Sequence, residues 1–340
     1  LTAILIPLAT CAYATRYHVH GAALGSANGL SWANAFTNLQ EALSIVIPGD
    51  EIWVAAGQYK PTTGTSRTIS FNMRNGVSMY GGFAGTESTT DERDIANNPT
   101  VLNGDIGEPG SASDNAHRVV TAISINTHIV LDGFRIMNGY SASGSGYNGG
   151  GLNVQHVLNG SLLVRNCTFV NNYSGTYGGG IYLAAANLTI ENCDFLNNRA
   201  GTGGDGGAIY NGNNNGGYSN LVVLNSRFKN NSARRGACLL GGLDFNTLGI
   251  DRCIFTANSS ELSIIEIDGF TSATISNSYM IGNAVDDSFA NVFRVQTSAA
   301  AEVLTLTNCT FAQNFNLYAN PGSETIRVYG THHRMENSIV

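Results

Sequence analysis

The sequence predicts an all-β protein that folds as a right-handed parallel β-helix, a solenoid with three short strands in each coil. The first observation is an eleven-residue segment that recurs along the chain at intervals of 25–33 residues. The second is a one-residue change of phase in the alternating apolar pattern of each copy, which indicates two short strands joined by a sharp bend. The third is composition, because 41 glycines and 39 asparagines make up nearly a quarter of the 340 residues.

The first residues are apolar and resemble the core of a secretory signal peptide. Residues 1–9 carry no charge, and Ala12, Tyr13 and Ala14 form a small-x-small sequence of the kind that signal peptidase cleaves. We therefore predict that residues 1–14 are the remnant of a signal peptide and that the protein is exported. A buried first strand is the alternative for this segment.

Residues 15–64 lie outside the repeat and predict an N-terminal cap made of a helix and a first strand. The open end of a solenoid exposes strand edges, which a helix at this place would cover. We expect Asn34 to cap the start of the helix and Pro48 to end it. Apolar residues with helical spacing lie between them, at Ala35, Phe36, Leu39, Ala42, Leu43 and Val46.

Residues 65–340 carry the coils. In the copy LTIENCDF (188–195) the apolar residues alternate before the Glu-Asn pair and again after it. The bend position holds Gly133 in the first copy and Arg252 in one other, and we expect positive φ there because Asn and Gly tolerate a left-handed backbone. Segments such as GGAIYN (206–211) supply the predicted third strand. The remaining copies place asparagine at the bend, at Asn166, Asn192, Asn225, Asn277, Asn308 and Asn337.

Four cysteines share one position of the repeat, and serine fills that position in other copies, as at Ser226. Such a position is typical of a small side chain that points into the core. Zinc binding needs ligands that converge at short spacing, which these residues lack. Side chains in register on consecutive coils lie about 4.8 Å apart at Cβ, beyond the roughly 3.5–4.5 Å that a disulfide needs. We therefore predict buried free thiols at the four positions, Cys167, Cys193, Cys253 and Cys309.

GGxI and FxxN tetrapeptides that repeat together resemble those of the chlamydial polymorphic outer membrane proteins. The sequence holds GGGI (178–181) and GGAI (206–209) beside FVNN (169–172), FLNN (195–198) and FKNN (228–231). The N-terminal part, with GLSWANAFTNLQEAL and GDEIWVAAGQYKP, is similar to exported β-helix proteins of the Bacteroidetes type. The likeness covers about residues 28–340. It implies a parallel β-helix on the outer surface of a bacterium and a function in adhesion.

Composition excludes some functions and favours others. A net charge of −7 gives no basic footprint for nucleic acid, and no apolar run is long enough to span a membrane. The resemblance, together with the lack of a convergent acid/base set, leads us to predict a secreted or outer-surface protein, an adhesin or a passenger stalk that binds carbohydrate or a cell surface and does not catalyse a reaction. One alternative is a carbohydrate-active enzyme of the pectin-lyase-like fold, a lyase or a glycoside hydrolase. Another is a spacer for a further domain, which we expect beyond residue 340 because residues 333–340 are an incomplete copy of the repeat.

No catalytic residues are predicted. Glycosidases need two carboxylates in a cleft, and the adjacent acidic pairs are Asp91-Glu92 and Asp286-Asp287. We expect Asp286 and Asp287 to lie in a solvated loop. Lyases need a base such as Lys, Arg or His, but the chain has two lysines and its histidines are scattered. Those singled out are His117, His128, His156, His332 and His333.

Two weaker patterns point to ligands. The carboxylates of Asp105, Glu108 and Asp114 share one loop and could hold Ca²⁺, which prefers oxygen ligands; no other cofactor is predicted. Tyrosines gather around the glycine-rich stretch, and rings on a flat face can stack against sugars. Tyr173, Tyr177 and Tyr218 are the candidates for carbohydrate contact.

Overall fold

The computed structural model describes residues 14–142, 144, 146–212, 217–241, 245–287, 290–296, 303–317, 325–329 and 333–340. The predicted signal segment lies outside the described residues except for Ala14, and so does His332. The structure confirms the predicted fold class: the chain is a right-handed parallel β-helix with few helices. None of its described helices is long and apolar enough to cross a membrane.

In the described part of the chain the strands form three parallel sheets that run along the solenoid. Sheet 1 consists of Arg16–Val19, Glu51–Ala55, Phe71–Asn72, Ser78–Phe83, Val120–Ile123, His128–Asp132, Leu152–Arg165, Ile181–Glu191, Ile209–Asn211, Ser219–Leu224, Leu239–Gly241, Phe245–Asp251, Ser263–Asp268, Phe270–Ser276, Asn291–Gln296, Val303–Thr307, Ile326–Tyr329 and His333–Glu336. Sheet 2 consists of Gly57–Tyr59, Thr100–Asn103, Phe134–Met137, Thr168–Val170, Asp194–Leu196, Arg227–Lys229, Ile254–Thr256, Tyr279–Ile281 and Thr310–Ala312. Sheet 3 consists of Tyr140–Ser141, Tyr173–Ser174, Arg199–Ala200, Ser232–Ala233, Ser259–Ser260, Ala284–Val285 and Phe315–Asn316.

The three observed sheets do not correspond one to one to the three strands that the sequence predicted for each coil. The GGxI segment and the segment before the bend both belong to sheet 1, and in Ile181–Glu191 they form one continuous strand. Sheet 3 is made of residue pairs that directly follow each FxxN motif. Sequence analysis missed it because two residues are too few to show an alternating pattern.

The α-helix spans Leu39–Ile45, and its Leu39, Ala42 and Leu43 join the core of the solenoid. Its N-cap is Asn38, whose side chain accepts the Gln40 N–H, so the prediction that Asn34 caps the helix was wrong. Two 3₁₀ turns, Thr90–Glu92 and Ala112–Asp114, lie in the loops of the first coils. Parallel stacking begins before residue 65, since Arg16–Val19 pairs with Glu51–Ala55, which in turn pairs with Ser78–Phe83.

The bend between sheets 1 and 2 has the left-handed backbone that the sequence predicted. Gly133 has a φ of 82°, and Arg252, the one residue that is neither Asn nor Gly, has a φ of 52°. At the asparagines φ lies between 46° and 53°, at Asn166, Asn192, Asn225, Asn277, Asn308 and Asn337.

A second bend lies between sheets 2 and 3 and carries a ladder of buried asparagines. The residue before each ladder position again has positive φ, as at Asn197 (55°) and Asn230 (56°). At Asn198 the side chain donates to the Phe169 carbonyl and to Oδ1 of Asn231, both on neighbouring coils. The last asparagine of the FxxN motif therefore joins coil to coil. The ladder consists of Asn172, Asn198, Asn231, Asn258, Asn283 and Asn314.

The core confirms the predicted side-chain stacks. The rings of Phe169, Phe195, Phe228 and Phe255 are buried and stack with centroids 4.7–4.9 Å apart. All four cysteines of the repeat position are buried and free, as is Cys238, which directly precedes the strand Leu239–Gly241 of sheet 1. Burial raises the pKa of the Cys253 thiol to about 12, so Cys253 is a packing group and not a nucleophile.

Candidate functional site

The outer face of sheet 3 forms an open groove of about 270 Å³. Ser232, Ser259 and Ala284 lie in register on three consecutive coils and form its floor. Among the neighbouring residues Ser260 and Val285 are buried, whereas Ala233 is half-buried, and Ala233 and Ser260 also line the groove. Small residues at every floor position leave room for a ligand that lies along the solenoid.

One wall of the groove carries charged residues. Arg234, Glu261 and Asp286 each follow directly after a strand of sheet 3, on three consecutive coils. The guanidinium of Arg234 binds Oδ1 of Asp205 at 3.0 Å, and this bond fixes its position. The side chains of Glu261 and Asp286 are exposed.

The two ends of the groove differ. At one end Tyr173 and then Arg199 precede Ser232 in register, and at the other end Phe315 follows Ala284. The Tyr173 hydroxyl lies over Gly201, since a Cβ on that glycine would come within 2.6 Å of it. One face of the Tyr173 ring stacks on Tyr140 at 4.6 Å, so its other face is turned towards Arg199 on the next coil.

The structure does not bring the three candidate tyrosines together. Tyr173 lies at the end of the groove, whereas Tyr177 stacks on Tyr210 at 4.4 Å, beside sheet 1. Tyr218 is 63% exposed and directly precedes the strand Ser219–Leu224 of sheet 1. Tyr177 and Tyr218 therefore belong to a different surface from the groove.

A second cluster lies on the outer face of sheet 1. Glu266 is fully buried, accepts a hydrogen bond from Ser263 Oγ at 2.6 Å, and pairs with Arg294 at 3.2 Å and Arg235 at 3.6 Å. Asp268 lies two residues further on the same strand face, and its Oδ1 is buried without a described hydrogen-bond partner. Burial, together with the charge of Glu266, raises the pKa of Asp268 to about 6. A carboxyl group with a raised pKa beside an ion-paired carboxylate is typical of functional sites.

Aromatic residues lie on the same outer face. Tyr182 and Tyr210 are in register on neighbouring coils, and Leu240 and then Glu266 continue the row. The two rings are nearly parallel, with centroids 5.8 Å apart. Sequence analysis missed Glu266 and Asp268 because the charged residues around them, Arg235 and Arg294, lie on neighbouring coils and are distant in the sequence.

In the predicted calcium loop, backbone N–H groups of the same loop donate hydrogen bonds to two of the three carboxylates. Asp114 Oδ2 accepts the Glu108 N–H at 2.7 Å, and Asp105 Oδ2 accepts the Gly110 N–H at 3.0 Å. Within the described ranges, no three side chains of His, Cys, Asp or Glu are grouped as metal ligands. Calcium binding at Asp105, Glu108 and Asp114 stays a prediction.

The acidic pairs occupy different settings. Asp286 lines the groove, while the backbone carbonyl of Asp287 accepts a hydrogen bond from Asn316 Nδ2. Asp91 and Glu92 lie in the 3₁₀ turn Thr90–Glu92, where Glu92 accepts the Ser88 N–H.

The histidines singled out in the sequence lie in separate local settings. The ring of His117 stacks on Tyr147 at 4.5 Å, and burial lowers its pKa. His128 Nδ1 is 2.7 Å from Ser161 Oγ, its partner in register on the next coil. His156 is an exposed residue with a φ of 56°, and His333 begins the strand His333–Glu336.

Comparison with known proteins supports the fold. The sequence matches no protein-family model and no curated protein. Similar solved structures include a rhamnogalacturonan lyase, at 12% identity over 95% of this chain and 87% of that chain, with a TM-score of 0.54. A pectate lyase matches at 12% identity over 95% and 80% with a TM-score of 0.49. A pectin methylesterase from Aspergillus niger matches at 12% identity over 93% and 90%, with a TM-score of 0.45. The chain thus has a pectin-lyase-like right-handed β-helix fold, and at such identities the likeness shows the fold alone.

Proposed function

We propose that the protein is an exported, cell-surface β-helix that binds a glycan chain along the groove of sheet 3 without cleaving it. The observation that carries this proposal is the row of small floor residues, Ser232, Ser259 and Ala284, which lies across three coils between Arg199 and Phe315. Coils stack about 4.8 Å apart, which is close to the length of one pyranose unit in an extended chain.

The side chains around the floor suit a carbohydrate. Serine hydroxyls can exchange hydrogen bonds with sugar hydroxyls, and the half-buried ring of Tyr173 lies one coil beyond Arg199, near the end of the groove. The charged groups of Arg199 and Asp286 add polar contacts at the walls. The resemblance to polymorphic outer membrane proteins supports a role as an adhesin or passenger stalk on the outer surface, and protease accessibility on intact cells would test that location.

The glycan proposal is tested by affinity electrophoresis in gels that contain neutral or acidic polysaccharides. Ser259→Trp places a large ring on the groove floor and should abolish the retardation seen with the unchanged protein. Thr274→Trp is the matched control, because Thr274 is exposed on a strand of sheet 1. Thermal unfolding of both variants checks that they fold. If no polysaccharide retards the protein, or if both variants are retarded alike, the groove is not a glycan site.

A carbohydrate-active enzyme is the second candidate, and the Asp268–Glu266 pair favours it. The Cα atoms of residues two apart on a strand are roughly 6.6 Å apart and their side chains share a face, so the two carboxyl groups can adopt the roughly 5–9.5 Å separation of glycosidase carboxylates. Asp268 in its protonated form could act as a general acid, while Tyr210, which is half-buried two coils earlier, could contact the substrate.

The enzyme candidate is tested by measuring reducing ends and unsaturated products released from polysaccharides at pH 5 and pH 7. Cleavage that weakens above the pKa of Asp268, about 6, and disappears in Asp268→Asn would support it. Asp194→Asn is the control, because it removes a half-buried carboxylate of sheet 2 that pairs with Arg227. Cleavage that survives Asp268→Asn would exclude this pair.

A further inference from the structure

We propose that the ligand of the sheet 3 groove is a zwitterionic glycan, a chain that carries both acid groups and free amines. This inference rests on the proposed glycan binding and adds the chemical class of the ligand. The charged residues follow a fixed order along the groove, with arginines at the Tyr173 end and carboxylates at the Phe315 end.

The positive half of the groove offers one guanidinium that is free for a ligand. Arg199 is exposed, and among the described residues no side chain pairs with its guanidinium. Arg234 is on the next coil but already shares Asp205 with Arg235, at 3.0 and 2.8 Å. An acid group of a ligand would therefore bind Arg199, since guanidinium groups bind carboxylate and sulfate well.

The negative half of the groove places two like charges side by side. Glu261 and Asp286 lie on consecutive coils, so their Cα atoms are about 4.8 Å apart. Like charges opposite one another on neighbouring strands are destabilising, and within the described part of the chain no cation pairs with either carboxylate. The chain has two lysines, and Lys60 and Lys229 lie outside the groove. An ammonium group of a ligand would relieve this repulsion.

The order of charges along the groove disfavours glycans whose charged groups all have the same sign. Arg199 lies two coils before Glu261 and three before Asp286, which is about 10–14 Å along the axis. A wholly acidic chain in the groove would bring its charges against the two carboxylates, and a wholly basic chain would bring an amine against Arg199. A chain with both groups a few sugar units apart satisfies both halves.

The experiment compares two hexasaccharides of alternating glucuronate and glucosamine that differ only in whether the amines are free or N-acetylated. Binding is measured by calorimetry at neutral pH, low salt and with EDTA, so that no divalent metal bridges the carboxylates. We expect the free-amine form to bind about tenfold more tightly than the acetylated form, a difference of about 1.4 kcal/mol. High salt should reduce this difference, because screening weakens exposed ion pairs.

Variants separate the two halves of the groove. The double variant Glu261→Gln with Asp286→Asn should abolish the preference for the free-amine form, whereas Arg199→Gln should weaken the binding of both forms equally. Asp194→Asn, outside the groove, should change neither.

The outcomes distinguish this inference from the proposed function. Equal binding of the two forms, or tighter binding of the acetylated form, with both lost in Ser259→Trp, would leave glycan binding intact and overturn the inference. Binding of neutral polysaccharides alone would overturn it as well. If neither the hexasaccharides nor any polysaccharide binds, the proposed function itself is wrong.

Discussion

Replacing Asn231 by alanine should be among the most destabilising single changes in the coils, because this side chain joins three of them. Asn231 is fully buried. Its Nδ2 donates to the Phe195 carbonyl at 2.9 Å and to Asn258 Oδ1 at 3.0 Å. Its Oδ1 accepts the backbone N–H of Asn198 at 2.9 Å and the side-chain amide of Asn198 at 3.1 Å.

The expected loss follows from these contacts. The change leaves the buried N–H of Asn198 without its partner, at about 1–3 kcal/mol, and removes three further hydrogen bonds at about 0.5–1.5 kcal/mol each. Solvent does not reach the site to replace them. We expect Asn231→Ala to lower the free energy of unfolding by about 3–5 kcal/mol.

Urea denaturation followed by circular dichroism measures this loss. Asn314→Ala is the comparison variant, because Asn314, the last of the ladder, makes three of these four bonds, with Asn283 and Met280, and is only half-buried. Water can replace its hydrogen bonds, so we expect about 1–2 kcal/mol there. A loss below about 1 kcal/mol in Asn231→Ala would refute the reasoning that the ladder stabilises the stack.

Three further predictions concern single residues. Cys193→Ser should lower the free energy of unfolding little, because Ser226 fills the equivalent position one coil later, whereas Cys193→Leu should lower it by about 1–3 kcal/mol through overpacking; urea midpoints compare the two. The raised pKa of Asp268 means that the folded protein binds its proton more tightly than the unfolded chain, so stability should fall as pH rises from 3.8 to about 6. Asp268→Asn should remove that part of the pH dependence, so the variant should be more stable than the wild-type protein at pH 7. Thermal melts of the two proteins below and above this pH range measure the difference. Asp132→Ala should lower stability by about 3–5 kcal/mol, because fully buried Asp132 balances the charge of Arg93, which is 8% exposed at its side chain; an unchanged melting temperature would contradict this.

The repeat and its first bend were predictable from the sequence because both depend on short-range properties of the chain. The alternating apolar residues of LTIENCDF indicate two strands. Asparagine at the bend indicates a left-handed backbone, which Asn192 adopts with a φ of 52°. The stack of phenylalanines followed in the same way, since a constant repeat position becomes a column when coils stack in parallel. Even Arg252 took the expected conformation, because its neighbours in the column impose it.

Sheet 3 could not be predicted, because its strands are two residues long and carry no periodic pattern. The stacking of coils creates it, once Asn198 and its equivalents join one coil to the next. The groove on this sheet is a consequence of that stacking, so its floor of Ser232, Ser259 and Ala284 was not visible in the sequence.

Charge clusters also depended on tertiary structure. Arg235 and Glu266 are 31 positions apart in the sequence, and Glu266 and Arg294 are 28 apart, yet they pair because each coil returns the chain to the same side of the solenoid. The raised pKa of Asp268 arises from burial among these neighbours, which the local sequence does not specify. The amino-acid sequence by itself determined the solenoid, its first bend and its core columns, because these arise from short-range patterns. The tertiary structure decided which polar side chains contact one another on the outer faces, because these contacts depend on how many residues each coil contains.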